Sequence, residues 1–196
     1  MFVSFEGLDG SGKTTQAELL RAHLDGLGRD VVATREPGGT DLGERIRDLL
    51  LHGAAITAAA EASLFAAARA ELVAVVIEPA LQRGADVVCD RFLDSSLAYQ
   101  GIVRGLGVDR VLELNRCAFG DLLPERTFVL DLDAIAAARR RRREPDRIER
   151  EGAAFQAAVG EAYLQLAGLF PERITLLDGS QSPETIAALV RMDLGL

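Results

Sequence analysis

The sequence predicts an α/β fold, a five-stranded and mainly parallel sheet with helices on both faces. Two observations predict it, and a third sets its extent. Short apolar runs of strand length alternate with longer stretches of helical spacing along the chain. The two segments with recognisable chemistry, Gly7–Thr14 and Asp90-Arg91, each follow a strand candidate directly, and parallel sheets bind ligands beyond the carboxyl ends of their strands. The 196 residues contain no repeat and no linker-like stretch, so residues 1–196 read as one domain.

Phe2–Phe5 is a buried-strand candidate leading into a glycine-rich turn. Thr14–Leu27 follows as a helix, because Leu19, Leu20, Leu24 and Leu27 recur near helical spacing and Gly28 supplies a stop. Asp30–Thr34 is the second strand, and Arg35–Thr40 is a loop by its Pro-Gly-Gly. Asp41–Leu51 is a helix, and a long Ala-rich helix covers Ala58–Gln82. Ala85–Cys89 is the third strand and ends at Asp90-Arg91. Two helices follow, near Ser95–Val103 and Asp109–Phe119. Arg126–Leu132 is the fourth strand. Ala134–Arg143 and Ile148–Leu169 are helices on either side of a Glu-Pro break, Arg173–Leu177 is the fifth strand, and Pro183–Leu194 is the last helix.

Composition excludes several classes. A chain of this length buries roughly 70% of its unfolded surface, so it needs no disulfide or metal staple. Cys89 and Cys117 form no CxxC motif, and reduced thiols in a cytoplasmic protein are the plain reading. The start has no basic n-region of a signal peptide. The most apolar stretch, Ala54–Leu81, is interrupted by Glu61, Arg69, Glu71 and Glu78, so no membrane span is expected. A net charge of −8 argues against nucleic-acid binding through a basic surface. Among the 22 basic residues, 21 are Arg and one is Lys, Lys13. A position that keeps Lys where Arg is the default wants a slim point charge.

Lys13 lies in Gly7-Leu8-Asp9-Gly10-Ser11-Gly12-Lys13-Thr14, a full match to G-x-x-x-x-G-K-[ST]. The glycines let backbone N–H groups turn toward phosphate oxygens, and the helix that follows adds its positive end. Lys13 is placed for the β- and γ-phosphates and the Thr14 hydroxyl for Mg²⁺. The sheet is therefore expected to be of the P-loop NTPase type. The bland alternative is a flexible Gly-Ser turn. Asp9, inside the cradle, needs a cation or a sugar hydroxyl to be tolerated among phosphates. Asp90, at the end of an apolar strand, is placed to hold Mg²⁺, often through water, and Arg91 to clamp a second phosphate; a simple Asp–Arg pair closing the strand is the alternative.

Phe65 and Arg69 stand at i, i+4 and share a helix face. Taken alone they favour a core Phe with a solvated Arg, the alternative being a base stacked on Phe65 with Arg69 donating to its carbonyl. Ser95-Ser96-Leu-Ala-Tyr99-Gln100 offers hydroxyls and an amide just beyond Asp90-Arg91, or simply a capped helix.

Five segments occur in order: Phe5–Thr15, Thr34-Arg-Glu-Pro-Gly-Gly-Thr40, Phe65-x-x-x-Arg69, Asp90–Gly101 and Asp146-Arg-Ile-Glu149. Together they closely resemble bacterial thymidylate kinases over essentially the whole chain. The resemblance implies phosphoryl transfer from ATP to dTMP with Mg²⁺, and a homodimer. It implies that Phe65 stacks on thymine, that Arg69 donates to its O4, and that Ser96 and Gln100 lie at the base edge. It further implies that Tyr99 packs near the deoxyribose, that Arg35, Arg47 and Arg91 serve the acceptor phosphate with Glu36 shaping the site, and that Asp9 faces the sugar 3′-hydroxyl and the metal. The P-loop through Thr14 and Thr15 holds ATP, with Gln181 in the loop beside adenine.

Arg139–Arg143 is a run of five arginines. A helix turns about 100° per residue, so not all five reach one phosphate. In the family that the chain resembles, a lid here, approximately residues 134–150, closes over ATP. A catalytic Arg stands either in the phosphate loop or in the lid. Leu8-Asp-Gly-Ser11 holds none, so the lid-arginine type is implied, with Arg143 first, then Arg147 and Arg139. The lid's usual glycine is missing and the segment is slightly short. Three rival readings remain at this point: another P-loop kinase, a nucleotide-dependent switch, and an arginine-rich nucleic-acid binder.

Overall fold

A computed structural model describes residues 1–140 and 144–196. Five strands, β1 (Phe2–Gly7), β2 (Val31–Arg35), β3 (Asp86–Asp90), β4 (Arg126–Asp131) and β5 (Ile174–Asp178), form one sheet in the order β2-β3-β1-β4-β5. Every pairing is parallel, as helical crossovers between successive strands require. All six residues of β1 are buried, so its two polar side chains, Ser4 and Glu6, are paired inside the protein, Ser4 with Thr127 and Glu6 with Ser95 and Tyr163.

The helices cover both faces. On one face α1 (Lys13–Gly26) and α9 (Pro183–Asp193) pack over Val3, Phe5, Val88, Phe128 and Leu130, contributing Leu20, Leu24, Ile186 and Val190. On the other face lie α2 (Asp41–His52), α3 (Ala58–Leu72), α6 (Val108–Phe119) and α8 (Ala153–Leu169), over Phe2, Val87, Cys89 and Val129. Thr40 and Ser182 cap α2 and α9 by accepting from the amides of Gly43 and Thr185, satisfying donors that a helix start leaves open.

Three stretches differ from the predicted helices. The run expected over Ala58–Gln82 stays helical but widens to a π-helix over Val73–Ile77 before α4 (Glu78–Gln82). The run expected over Ser95–Val103 begins earlier, as α5 (Leu93–Ser96), and continues as a π-helix over Leu97–Val103. The helix expected over Ile148–Leu169 is broken at Gly152, whose φ of 95° no continuous helix allows, into a 3-10 turn (Glu149–Glu151) and α8. Before them, α7 spans Ala134–Arg140. No helix among the described residues is long and apolar enough to cross a membrane.

Strand register positions the site. Phe5 and Arg35 both stand opposite Asp90, and Gly7 stands opposite Leu130. The C-terminal ends of β1, β2 and β3 thus open onto one edge, beside α1.

Candidate active site

The turn after β1 is built by glycines where only glycine fits. Gly7 has a φ of 130°, and a Cβ there would stand 2.6 Å from the Leu130 carbonyl oxygen of the neighbouring strand. Gly10 and Gly12 also have positive φ. The loop closes when the Ser11 amide donates to the Leu8 carbonyl at 3.0 Å. Lys13, at the first position of α1, folds back so that Nζ donates to the Leu8 carbonyl at 2.8 Å and lies 3.5 Å from Asp9 Oδ1. Burial, then the nearby Arg91, holds Lys13 below the ordinary lysine range, against the pull of Asp9, Asp90 and Glu6. A cation kept in so unfavourable a place is suited to an anionic ligand.

Thr14 Oγ1 donates to Asp90 Oδ2 at 2.5 Å. A hydroxyl and a carboxylate oxygen meet here at the mouth of the cradle, a hard-oxygen donor set that fits Mg²⁺. Asp90 ends β3, and parallel pairing with β1 brings it beside α1 although it stands 76 positions from Thr14.

Arg91 follows at a φ of 72°, the one non-glycine residue with positive φ among those described. Such a conformation costs of order 1–2 kcal/mol for a residue with a Cβ, and the contacts around Arg91 hold it. Its amide donates to the Phe5 carbonyl at 2.9 Å. Its guanidinium donates to Asp9 at 2.7 Å and to Ser95 Oγ and Tyr163 Oη at 3.1 Å each. Behind it, the buried Glu6 accepts from the amides of Phe92 and Ser95, from Ser95 Oγ at 2.6 Å and from Tyr163 Oη at 2.9 Å. The result is a rigid support that aims Arg91 across the cradle.

A cleft of 810 Å³ runs along this edge. It is lined by the loop from Asp9 to Gln16, by Arg35, Glu36 and Arg47, by Asp90 and Arg91, and by Arg140, Gly179 and Gln181 at its far end. A narrow cavity of 70 Å³ adjoins it, lined by Phe65, Tyr99 and Gln100 with Pro37, Leu51, Ser95, Asp146 and Ile148. Asp9, Glu36, Arg47 and Arg91 line both. Burial pushes the Glu36 carboxyl up to about 7, the Arg69 guanidinium opposing it.

Most of the expected site residues converge on these two cavities, including Thr15. Gly7 and Leu8 shape the loop without lining the cleft. Several positions stand differently from the expectation. Arg69 is 1% exposed and does not line the narrow cavity. Its guanidinium is engaged by Glu36 at 2.6 Å, Asn115 at 2.6 Å, the Phe92 carbonyl and Ser96 Oγ. Ser96 is likewise turned to Arg69, and Ser95 lines the cavity in its place. Arg147 is not at the phosphate cradle. Its side chain binds the Leu50 carbonyl at 2.7 Å and Glu61 at 2.6 Å, because the turn that carries it packs on the end of α2, where its amide donates to the Leu51 carbonyl. Arg139 is exposed on α7 and lines neither cavity. The adjacent Arg140 does, donating to the Gly179 carbonyl at 2.9 Å. Helix phase decides between two neighbours in a run of identical residues, and that phase is invisible in the run itself. Arg143 lies outside the described residues.

Sequence reasoning did not single out Glu6, Tyr163 or Arg140, and it weighed Ser95 only as one of the hydroxyls beyond Asp90-Arg91. Glu6 and Ser95 sit inside the motif segments and carried that much signal. Tyr163 is one aromatic in an apolar helix and carried none.

Comparison with known proteins agrees with this geometry. A family model described as thymidylate kinase matches residues 5–190. A thymidylate kinase of Bifidobacterium longum (strain DJO10A) is 50% identical, covering 99% of this chain and 97% of that protein. One from Symbiobacterium thermophilum is 49% identical, covering 97% and 91%. The crystal structure of thymidylate kinase from Ehrlichia chaffeensis superposes with a TM-score of 0.82 at 33% identity, covering 100% of this chain and 98% of that one. With a family match along nearly its whole length, relatives of matching extent and a shared fold, this chain belongs to the thymidylate kinase family.

Proposed function

We propose that the chain transfers the γ-phosphoryl group of ATP to dTMP, giving dTDP and ADP. The observation that carries this reading is the junction of a phosphate cradle and a narrow aromatic cavity that share Asp9, Glu36, Arg47 and Arg91. A donor in the cleft and an acceptor in the cavity would present their phosphates to each other at that junction.

An acceptor phosphate oxygen is already ionised near neutral pH, so the reaction needs no strong base. The acceptor oxygen forms a bond to the γ-phosphorus as the bond to the bridging oxygen breaks and ADP leaves. Catalysis is then alignment and neutralisation of charge. Lys13 and the loop amides hold the donor phosphates, and Arg91, on its Glu6–Ser95–Tyr163 support, holds the acceptor with Arg35 and Arg47. Thr14 and Asp90 would hold Mg²⁺, which when bound neutralises charge on the donor phosphates. Phe65 and Tyr99 form the walls of the base and sugar site with Gln100 at its edge. Arg140 and Gln181 flank the adenine end. The segment from about 134 to 150 acts as a lid, and Arg143 supplies its catalytic cation.

A homodimer is part of this reading. Leu49, Ile56 and Val75 on and beside α2 and α3 are exposed apolar side chains that a second copy would cover, and light scattering on the purified chain measures the mass directly. The cysteines are unpaired, in keeping with a cytoplasmic enzyme.

The function is tested by coupled ADP release with ATP, Mg²⁺ and each of the four deoxynucleoside monophosphates, with dUMP and thymidine alongside. Fast turnover on dTMP supports it. Slow ATP hydrolysis indifferent to any acceptor would replace it with a nucleotide-dependent switch.

A further inference from the structure

We propose that Glu61 is a positioning residue that sets base specificity: its carboxylate holds the Gln100 side-chain amide so that Oε1 faces the base edge, selecting pyrimidines that carry an N3–H. The inference rests on the narrow cavity being the nucleobase site.

Glu61 lies on α3 one turn before Phe65 and is 1% exposed. Its Oε1 accepts from Gln100 Nε2 at 2.9 Å and from Arg104 Nε at 3.2 Å, and its Oε2 accepts from Arg147 at 2.6 Å and Arg104 at 3.4 Å. Burial pushes this carboxyl up, but the donors from Arg147, Gln100 and Arg104 outweigh it and hold it below the ordinary value. It therefore stays ionised and can only accept. An acceptor-only partner makes the two faces of the Gln100 amide unequal. Nε2 must turn to Glu61, because the reverse would set Oε1 against a carboxylate oxygen.

Gln100 Oε1 is then committed to the other side. It accepts no hydrogen bond among the described residues, it is not among the fully enclosed polar atoms, and Gln100 lines the cavity with Phe65 and Tyr99. Thymine and uracil offer an N3–H that such an oxygen accepts. Cytosine offers a lone pair at N3, which would face it unpaired. A free glutamine would read both by turning over; one fixed by Glu61 reads the first alone. Arg147 gains a role by the same geometry. Its amide and Nε are tied to the Leu51 and Leu50 carbonyls, so it braces Glu61 from the end of α2.

The test is kcat/KM for dTMP and dCMP, with KM for ATP, in the unmutated chain and in Glu61→Gln, Glu61→Asp, Gln100→Ala and the Glu61→Gln/Gln100→Ala double variant. A glutamine at 61 both donates and accepts, so Gln100 can turn. The dTMP-to-dCMP ratio is expected to fall at least about tenfold, the worth of one buried hydrogen bond, with KM for ATP unchanged. Glu61→Asp retains an acceptor-only group and is expected to retain most of the ratio. In the Gln100→Ala background, Glu61→Gln is expected to add nothing. Equal loss on both substrates, or the same drop in ratio without Gln100, overturns the proposal. Unchanged dTMP kinetics in Gln100→Ala removes the nucleobase assignment itself, and the proposal with it. Should Glu61→Gln fail to fold, the unmutated chain labelled with ¹⁵N-glutamine decides: the Gln100 amide protons are expected to hold their shifts on dTMP binding, and their transfer to the ligand overturns the proposal.

Discussion

Replacing Lys13 by Met should make the unliganded protein more stable while abolishing its turnover. The side chain is 5% exposed, and its ammonium is less stable there than in water even with Asp9, Asp90 and Glu6 nearby. Below its lowered folded value, the charge therefore costs the native state free energy that the unfolded chain does not lose. That cost fades as pH climbs toward 10.5, where the unfolded lysine also deprotonates. Methionine keeps the apolar stem and removes the charge, a relief of about 3 kcal/mol by the usual cost of a buried ion. Losing the Nζ donor at 2.8 Å leaves the Leu8 carbonyl with the Ser11 amide as its remaining donor, and the lost hydrogen bond takes back about 1 kcal/mol. The net gain of about 2 kcal/mol corresponds to about 4–8 °C in Tm for a domain of this size. Removing a cation aimed at a transferring phosphoryl group should cut kcat by at least about 10²–10³. Scanning calorimetry without nucleotide at pH 7 and coupled ADP release measure the two halves. ATP should raise the Tm of the wild type more than that of the variant, because binding stabilises by mass action. A variant that melts below the wild type, or one that turns over within tenfold of it, would refute the reasoning.

Three further outcomes follow from the same geometry. Gly7→Ala places a Cβ 2.6 Å from the Leu130 oxygen and 2.9 Å from Ser11 Oγ, so urea denaturation should show a loss of about 3 kcal/mol or more; a neutral change would mean the loop is not set by that contact. Arg140→Ala should raise KM for ATP about tenfold through loss of a charged donor at the Gly179 end, leaving KM for dTMP unchanged; the opposite split would move Arg140 to the acceptor side. Glu36 binds its proton up to about pH 7 when folded but only to about 4.5 when unfolded. Its contribution is full below 4.5 and is lost as pH rises through 7. The stability of the wild type relative to Glu36→Gln should thus decline by about 3 kcal/mol across that window, and a difference that is flat with pH would exclude it.

Local signals were sufficient for the architecture. Apolar runs, glycine stops and the alternation of periods located all five strands to within a residue or two, because strands buried on both faces are mostly apolar. The phosphate loop was legible for a stronger reason: its glycines, Lys13 and Thr14 act through a conformation set by eight consecutive residues. Among 22 basic residues, the one lysine marks that loop.

The tertiary structure decided what depends on phase and on partners distant in the chain. Which arginine of the run Arg139–Arg143 meets the cleft is a matter of helix rotation, and of the described pair it is Arg140. Whether Arg147 and Arg69 face ligand or protein depends on Glu61 and Glu36, 86 and 33 positions away. The support of Arg91 unites Glu6, Ser95 and Tyr163 from a strand, a short helix and α8, which only the packed sheet brings within hydrogen-bond reach. A sequence records which groups are present. The direction a charge points, and what it is already bound to, is set by the neighbours that folding supplies.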